Sequence, residues 1–381
     1  MRISVDISPL QNGHRFRGIG AYARGLLSGL ADLRTDDEFI LLYWKSQPLD
    51  LPARLPRKHT FVGIPFPRAG RASALIAQQV VMSPLAWILR PDVYHQLGVV
   101  PDPAAGGLSW SLLSRTVATV HDLMPLLYRK QFLEGKRLRH LHYRCMLSAV
   151  HRSAHVLTDS QATRSDLQSH LGLSPERVST VPIGVAPDLL AALKEPQSPP
   201  PDLPASYLLT VAGDYPNKNI DVLLRAYEHI ATPEGSVPDL VLVGPQGSAL
   251  ARFRTRRPRL AGRVHVFQHL STAELAAVYR GAKIAIVPSE YEGFGLPVLE
   301  AMAAGTPVVA ARTSSLPEVA GDAAFLVPPG DAQALADAIA ALLCNPEARD
   351  RLSRRGYARA AEFSWQRAAE ETYRVYARVA A

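Results

Sequence analysis

The sequence predicts an α/β protein built from two tandem Rossmann-like domains, and three observations carry that expectation. Short β-rich runs alternate with helical patterns along the chain, the alternation halts once at a proline-rich polar segment, and it then restarts. At 381 residues the chain exceeds what one core usually supports, and its 47% apolar content suffices to fill two.

In the first half, "RISVDIS" reads as a strand, "AYARGLLSGLADL" as an amphipathic helix and "EFILLYW" as a second strand. "DVYHQL", "RTVATVHDL" and "AHVLTDS" follow as further strands, the last leading into the helical "QATRSDLQSHL". Strand–helix alternation of this kind makes a mostly parallel sheet covered by helices. Leu193 to Ser206, "LKEPQSPPPDLPAS", holds five prolines and can continue neither element type, so it is the expected linker. Beyond it "YLLTVAG", "DLVLVG", "RVHVFQHL", "KIAIVPS", "TPVVAA" and "AFLVPP" read as strands, with helices such as "DVLLRAYEHI", "TAELAAVYRGA" and "PVLEAMAAG" between them. The closing "EFSWQRAAEETYRVYARVA" reads as an amphipathic helix with Ser364 as its N-cap. The expected organisation is thus residues 1–192, a linker over 193–206, a second domain over 207–363 and a helix over 364–381 that packs back toward the first domain.

Composition removes several function classes. The start has no apolar signal region, and the longest oily run, "ALIAQQVVMSPLAWIL", is broken by Gln78, Gln79 and Pro84, so a cytoplasmic protein without a spanning helix is expected. Cys145 and Cys344 lie far apart and outside any metal-ligand spacing. Lys and Arg number 22 against 14 Asp and Glu in residues 1–190, and 20 against 20 in residues 191–381, so the net charge of +8 belongs to the first half. That excess suits an acidic partner such as a phosphate-bearing acceptor or an anionic membrane surface. The basic run "RFRTRRPRLAGRV" lies in the neutral half with only Phe253 interleaved; it reads as a solvated face, and no nucleic acid is expected.

Open α/β sheets bind ligands beyond the carboxyl ends of their strands, and four such loops carry chemistry. In "PLQNGHRFRGIGAYA", Gly18, Gly20 and Ala23 match G-x-G-x-x-A, with Arg15 and Arg17 adding charge for a diphosphate. A nicotinamide cofactor would need the first glycine directly after the strand and an acid at the end of strand two. Here ten residues separate Ile7 from Gly18, and Asp36, Asp37 and Glu38 precede the second strand. In "VHDLMP", His121 is placed to meet a sugar hydroxyl or a phosphate. In "VAGDYPNKNI", Lys218 sits at the start of a helix, where ammonium and helix dipole both favour an anion.

The fourth loop, "SEYEGFGLPVLEAMAAG", is the most specific. Pro297 pre-sets the first turn of a helix that Gly305 can cap, and the N–H groups of Gly293, Phe294, Gly295 and Leu296 are available to oxyanions. Glu292 in the loop and Glu300, eight positions on, bracket that cradle, and a carboxylate can accept two hydrogen bonds from a vicinal diol. A glycosidase pair would also use two acids but needs no phosphate cradle between them. A non-catalytic sugar-nucleotide or polysaccharide binder would keep the diol contacts alone.

This stretch resembles the E-x-x-x-x-x-x-x-E motif of the retaining glycosyltransferases of family four, which have the GT-B fold and include bacterial mannosyltransferases. The likeness runs through "VHDLMP", "TDSQATRSDL", "VPIGV", "YPNKN", "SSLPEVAGDAAFLVPPGD" and the helix after "FSW". It implies a nucleotide-sugar site in the cleft between two domains, with Glu300 on the ribose, Glu292 facing the donor sugar, Lys218 on the diphosphate, the glycines of the first domain approaching it, and His121 touching the transferred sugar. It also implies a glycan or lipid-linked acceptor, retention of anomeric configuration and a role in surface polysaccharide synthesis. Many members carry an arginine in a G-R-x-x-P-x-K pattern where this chain departs at Gly213, so Arg17 or another basic group is expected to take over its charge. The sequence has no D-x-D pair of the kind metal-dependent transferases use, so neither a metal nor another cofactor is expected.

Overall fold

In the computed structural model the chain divides into two compact units, Met1–Ala186 with Ser364–Ala381, and Pro187–Phe363. The structure describes residues 1–11, 18–45, 47–64, 88–98, 115–213, 215–230, 237–244 and 247–381. Arg15, Arg17 and most of the oily run at 74–89 lie outside them.

The first unit is a seven-stranded sheet with the order β3-β2-β1-β4-β5-β6-β7. Its strands are β1 (Arg2–Asp6), β2 (Glu38–Trp44), β3 (His59–Ile64), β4 (Val93–Gln96), β5 (Thr116–Val120), β6 (His155–Thr158) and β7 (Val178–Thr180). Every pairing is parallel. β4, β5 and β6 are buried along their whole length, as central parallel strands are, including the polar His95, Gln96, His155 and Thr158. One core cluster joins Ala118 and Val120 of β5 with Val156 of β6, Val150 and Leu167.

The second unit repeats the plan with six parallel strands in the order β10-β9-β8-β11-β12-β13. These are β8 (Tyr207–Val211), β9 (Asp239–Val243), β10 (Val264–Phe267), β11 (Ile284–Val287), β12 (Val308–Ala311) and β13 (Phe325–Val327). Leu208, Leu240, Ile284, Ile286 and Val309 of the sheet pack with Leu223, Tyr227 and Phe253 of its helices, all fully buried. In both sheets the order reverses beside the first strand, between β1 and β4 and between β8 and β11, which creates a crevice at each reversal.

The chain passes between the units at Ala186–Pro187, ahead of the proline-rich run. The helix Pro187–Ala192 belongs to the second unit, where Asp188 accepts a hydrogen bond from Thr272, and Arg280 donates to the Glu195 carbonyl. At the other end, Ser364 caps the helix Trp365–Ala380 by accepting from the Arg367 N–H, and this helix lies in the first unit. Its seat explains two glycines of "GIGAYARGLLSG": a Cβ on Gly25 would fall inside the Trp365 indole, and one on Gly29 would strike the Trp365 backbone. The indole N–H donates to the Val185 carbonyl at 2.9 Å.

Four arginines of "RFRTRRPRLAGRV" pair with carboxylates of the same unit. Arg252 reaches Asp221, Arg256 and Arg257 reach Glu228, and Arg263 reaches Asp239.

Candidate active site

The second unit assembles its side chains at the β8/β11 reversal. After β8, a short 3-10 turn Pro216–Lys218 ends at Asn219 in the left-handed region, φ 54°, and the helix Ile220–Ile230 follows. After β11, the loop "PSEYEGFG" leads to the helix Leu296–Ala303. The two loops are tied by backbone: Glu290 N–H donates to the Asn217 carbonyl, and Asn217 Nδ2 donates to the Tyr291 carbonyl.

This tie brings Lys218 onto Glu292. Lys218 Nζ lies 2.7 and 2.8 Å from the two carboxylate oxygens, with side-chain exposures of 17% and 10%. Ser289 Oγ donates to the same Oε1 at 2.7 Å. Ser314 Oγ accepts from the Glu292 N–H and Ser315 Oγ donates to its carbonyl, so the loop is clamped from the segment after β12. A carboxylate offers about four lone-pair directions and an ammonium three N–H groups. Glu292 therefore keeps one acceptor direction on Oε2, and Lys218 keeps one donor.

The helix Leu296–Ala303 starts on Gly295, whose φ of 103° only glycine adopts without strain, and Pro297 occupies its first turn. A Cβ on Gly295 would meet Leu316 Cδ2 at 2.8 Å. The helix ends in a Schellman motif: Thr306 N–H reaches the Ala301 carbonyl, Gly305 N–H reaches that of Met302, and Gly305 has φ 74°. With both ends fixed, the first-turn N–H groups around Phe294, Gly295 and Leu296 belong to the rigid loop that holds Glu292.

Glu300 takes a different partner from that ion pair. Tyr279 Oη, at the end of the helix Thr272–Gly281, donates to Glu300 Oε2 at 2.7 Å. Burial pushes the Glu300 carboxyl up to about 7; the tyrosine hydrogen bond opposes that rise and the negative charge of Asp188 adds to it.

In the first unit His121 follows β5, and its imidazole is fixed from two sides. Nδ1 lies 2.5 Å from Asp159 Oδ2, at the end of β6, and Nε2 lies 2.8 Å from the Leu97 carbonyl, at the end of β4. Tyr22 stands edge-on to the ring at 4.6 Å. Burial, the largest influence, opposes charge on the imidazole, but the Asp159 carboxylate with its hydrogen bond, the Leu97 carbonyl and Asp122 outweigh it, and the His121 pKa is raised. Ser160 caps the helix Gln161–Leu171, and Thr163 Oγ1 donates to the His121 carbonyl, so the helix that begins beside Asp159 also holds the histidine's backbone. Behind the ring, Tyr22, Thr119, His95 and Tyr376 form a buried chain of hydrogen bonds to the C-terminal helix.

Of the residues expected from sequence, Lys218, Glu292, Gly293, Phe294, Gly295, Leu296 and Glu300 meet in the second unit. Gly18 and Gly20 form the first turn of the helix Gly18–Asp32, and Ile19 reaches within 3.0 Å of where a Cβ on Gly98 would stand. Arg17 falls outside the described residues. β2 ends at Trp44 and is followed by Lys45, so the carboxylate a nicotinamide site needs is missing there. Asp159, Ser289, Ser314, Ser315 and Tyr279 were not foreseen. Ser289 stands three positions before Glu292, which is a readable cue; the others are brought in by strand order. Among the described residues no group of three or more His, Cys, Asp or Glu could hold a metal ion, and no helix is long and apolar enough to cross a membrane.

Comparison with known proteins covers both units. Residues 193–359 match the family model for glycosyl transferases group 1, and residues 16–189 that for glycosyltransferase family 4. The chain is 27% identical over 392 aligned residues to an O-antigen chain mannosyltransferase B of Escherichia coli, covering 99% of each. It is 37% identical over 239 residues to an MMP alpha-(1->4)-mannosyltransferase of Mycolicibacterium hassiacum, a match that spans 59% of this chain and 55% of that relative. Sucrose-phosphate synthase from Thermosynechococcus elongatus shares the fold, with a TM-score of 0.71 at 22% identity over 100% of this chain and 99% of that one.

Proposed function

We propose, since the chain belongs to the family four glycosyltransferases and has their GT-B fold, that it moves a hexosyl group, mannosyl in the first instance, from a nucleotide diphosphate sugar to a glycan or lipid-linked acceptor. The observation that carries this reading is the Lys218–Glu292 pair beside the open first turn at Gly295, at the β8/β11 reversal. The mannosyl assignment and a place in surface polysaccharide synthesis draw on the two relatives named above, which are a chain mannosyltransferase and an alpha-(1->4)-mannosyltransferase.

Breaking a glycosyl-phosphate bond builds negative charge on the departing diphosphate and positive character on the sugar. The spare Lys218 donor and the first-turn N–H groups meet the former, while the spare Glu292 acceptor meets a sugar hydroxyl as positive character grows. Glu300, ionised on donor binding, accepts from the ribose diol. In the first unit His121 holds positive charge after β5, and Gly18 and Gly20 start the helix Gly18–Asp32. Attack then occurs on the face the leaving group vacates, with the leaving phosphate taking the acceptor's proton, so configuration is retained and no protein nucleophile is required. Because lysine and helix provide the leaving-group charge, the reaction needs no metal.

Release of nucleoside diphosphate from a panel of nucleotide sugars, with and without a strong chelator, tests this reading. Turnover of a nucleotide mannose that persists in chelator is expected; turnover of none overturns the donor class, and abolition restored by a divalent ion overturns the metal-free step.

A membrane-borne acceptor has its own observation. Arg129, Lys130, Lys136, Arg137 and Arg144 are exposed in the first unit around the exposed Leu127 and Leu141. Such a basic and apolar surface suits an anionic bilayer. Sedimentation with anionic vesicles at low salt and release at high salt is the expected result; salt-independent sedimentation, or none, removes the membrane from the reading.

A further inference from the structure

The geometry points to Asp159 as a positioning residue that locks His121 in its doubly protonated form, so that His121 serves as a fixed cation and takes no part in proton transfer. The inference rests on the glycosyl-transfer reading for its consequence, but its structural half stands alone.

A carbonyl oxygen can only accept a hydrogen bond, and so can an ionised carboxylate. His121 Nε2 points at the Leu97 carbonyl from 2.8 Å and Nδ1 at Asp159 from 2.5 Å. A neutral imidazole carries one N–H and would leave a ring lone pair facing one of these oxygens in a site where the histidine is 13% and the aspartate 5% exposed. With Asp159 ionised, only the imidazolium satisfies both contacts. The ring then has no free nitrogen with which to take a proton.

The charged and titratable groups around the ring agree with this assignment. Asp159 comes from the end of β6 and Asp122 from the residue that follows His121. From β4 comes His95, which burial and the neighbouring His121 charge push down to about 3; it is therefore neutral and adds no competing cation. From the first helix comes Tyr22, whose hydroxyl is engaged by Thr119 and whose ring edge meets the imidazole. Among the described residues two carboxylates and no second cation face the ring, which is the charge pattern an imidazolium requires.

Asp159 also occupies a place suited to positioning. It directly precedes Ser160, the cap of the helix Gln161–Leu171, and Thr163 in that helix's first turn holds the His121 carbonyl. The carboxylate that sets the charge and the hydroxyl that sets the backbone thus move as one piece.

The consequence for turnover has a definite sign. A histidine whose pKa is raised in the folded protein keeps its charge below the ordinary value and loses it as pH rises through the raised one. Activity that depends on the cation therefore falls on the alkaline side, and Asp159→Asn, which keeps the shape and removes the charge, should move that fall to lower pH. A shift of one unit lowers turnover at the alkaline limb by about tenfold.

Nitrogen-15 histidine NMR on the full chain, with the His121 signal identified by its loss in His121→Asn, reads the protonation state directly. Two protonated ring nitrogens persisting above the ordinary histidine value of about 6.5 are expected; a His121 that titrates at or below that value overturns the inference with no variant of Asp159 needed. Nucleoside diphosphate release from a turned-over nucleotide sugar then gives the pH profile of wild type and Asp159→Asn. A displaced alkaline limb supports positioning, whereas a lower melting temperature with an unmoved profile means that Asp159 only stabilises the fold. If wild type turns over no nucleotide sugar, the glycosyl-transfer reading fails and the NMR result still decides the protonation state.

Discussion

His121–Asp159 in the first unit and Lys218–Glu292 in the second are the same device in two versions. Each couples a cation and a carboxylate from loops after neighbouring parallel strands, β5 with β6 and β8 with β11. They differ in what is left over. The imidazolium has two donors, and Asp159 and Leu97 take both; the ammonium has three, and Glu292 takes two. The first pair is closed and can act only through its charge. The second is open and can hold an anion without letting go of its carboxylate. Donor count, more than charge, separates a fixed electrostatic element from a binding one.

The comparison breaks first at Lys218. If its third donor meets the leaving diphosphate, Lys218→Ala should lower kcat by about 100- to 1,000-fold, as removal of a transition-state donor does elsewhere. The double variant Lys218→Ala with Glu292→Gln should lose close to the product of the two single losses, because the lysine meets the diphosphate and Glu292 the sugar; a double variant no worse than Lys218→Ala alone in steady-state kinetics would mean that the two act as one unit.

A smaller effect belongs to Glu300, which lies outside both pairs. Glu300→Ala should raise the donor KM roughly 10- to 150-fold by removing charge-assisted hydrogen bonds, while kcat changes little. A fall in kcat at unchanged KM would take Glu300 off the ribose and put it into the chemical step.

The open pair also depends on the rigidity of its loop. Gly295→Ala forces a side chain into φ 103° against Leu316, and should destabilise the fold by about 1–3 kcal/mol in denaturant melts. An unchanged midpoint would show that the loop relaxes freely and that Glu292 is not held by it.

The two units should respond to pH with opposite sign. His121 loses its charge as pH rises, whereas Glu300, pushed up to about 7 by burial, gains one. Nucleoside diphosphate affinity should therefore increase from pH 6 to 8, by less than about tenfold. In Glu300→Gln only the ligand's own phosphate titration should remain; an identical slope in both proteins would remove Glu300 from the pH response.

The architecture was legible wherever a strand was a buried run of β-branched and small apolar residues. "TVATV" and "KIAIV" were readable for that reason. The edge strand His59–Ile64 was not, because half of it is exposed and Gly63 interrupts it, and Val178–Thr180 spans only three residues. Glu292, Glu300 and Lys218 were readable as types at a spacing. Their grouping was not: Lys218 and Glu292 lie 74 residues apart and meet because β8 and β11 are neighbours. Asp159 was hidden likewise in "TDSQAT", since nothing local says that β6 lies against β5 in register with His121. Gly25 and Gly29 of the first helix, which answer to the seat of Trp365, had no cue in the sequence.

The measurement closest to the central claim is calorimetric titration of nucleoside diphosphate into wild type, Lys218→Ala and Glu292→Gln, with circular dichroism to confirm folding. The product lacks the sugar, so it isolates the leaving-group contact from the sugar contact. An open pair predicts a marked loss of affinity in Lys218→Ala, and affinity near wild type in Glu292→Gln together with a kcat lowered by at least about tenfold. Equal losses of affinity in the two variants would contradict it, and would make Glu292 a support for the lysine with no separate part in the reaction.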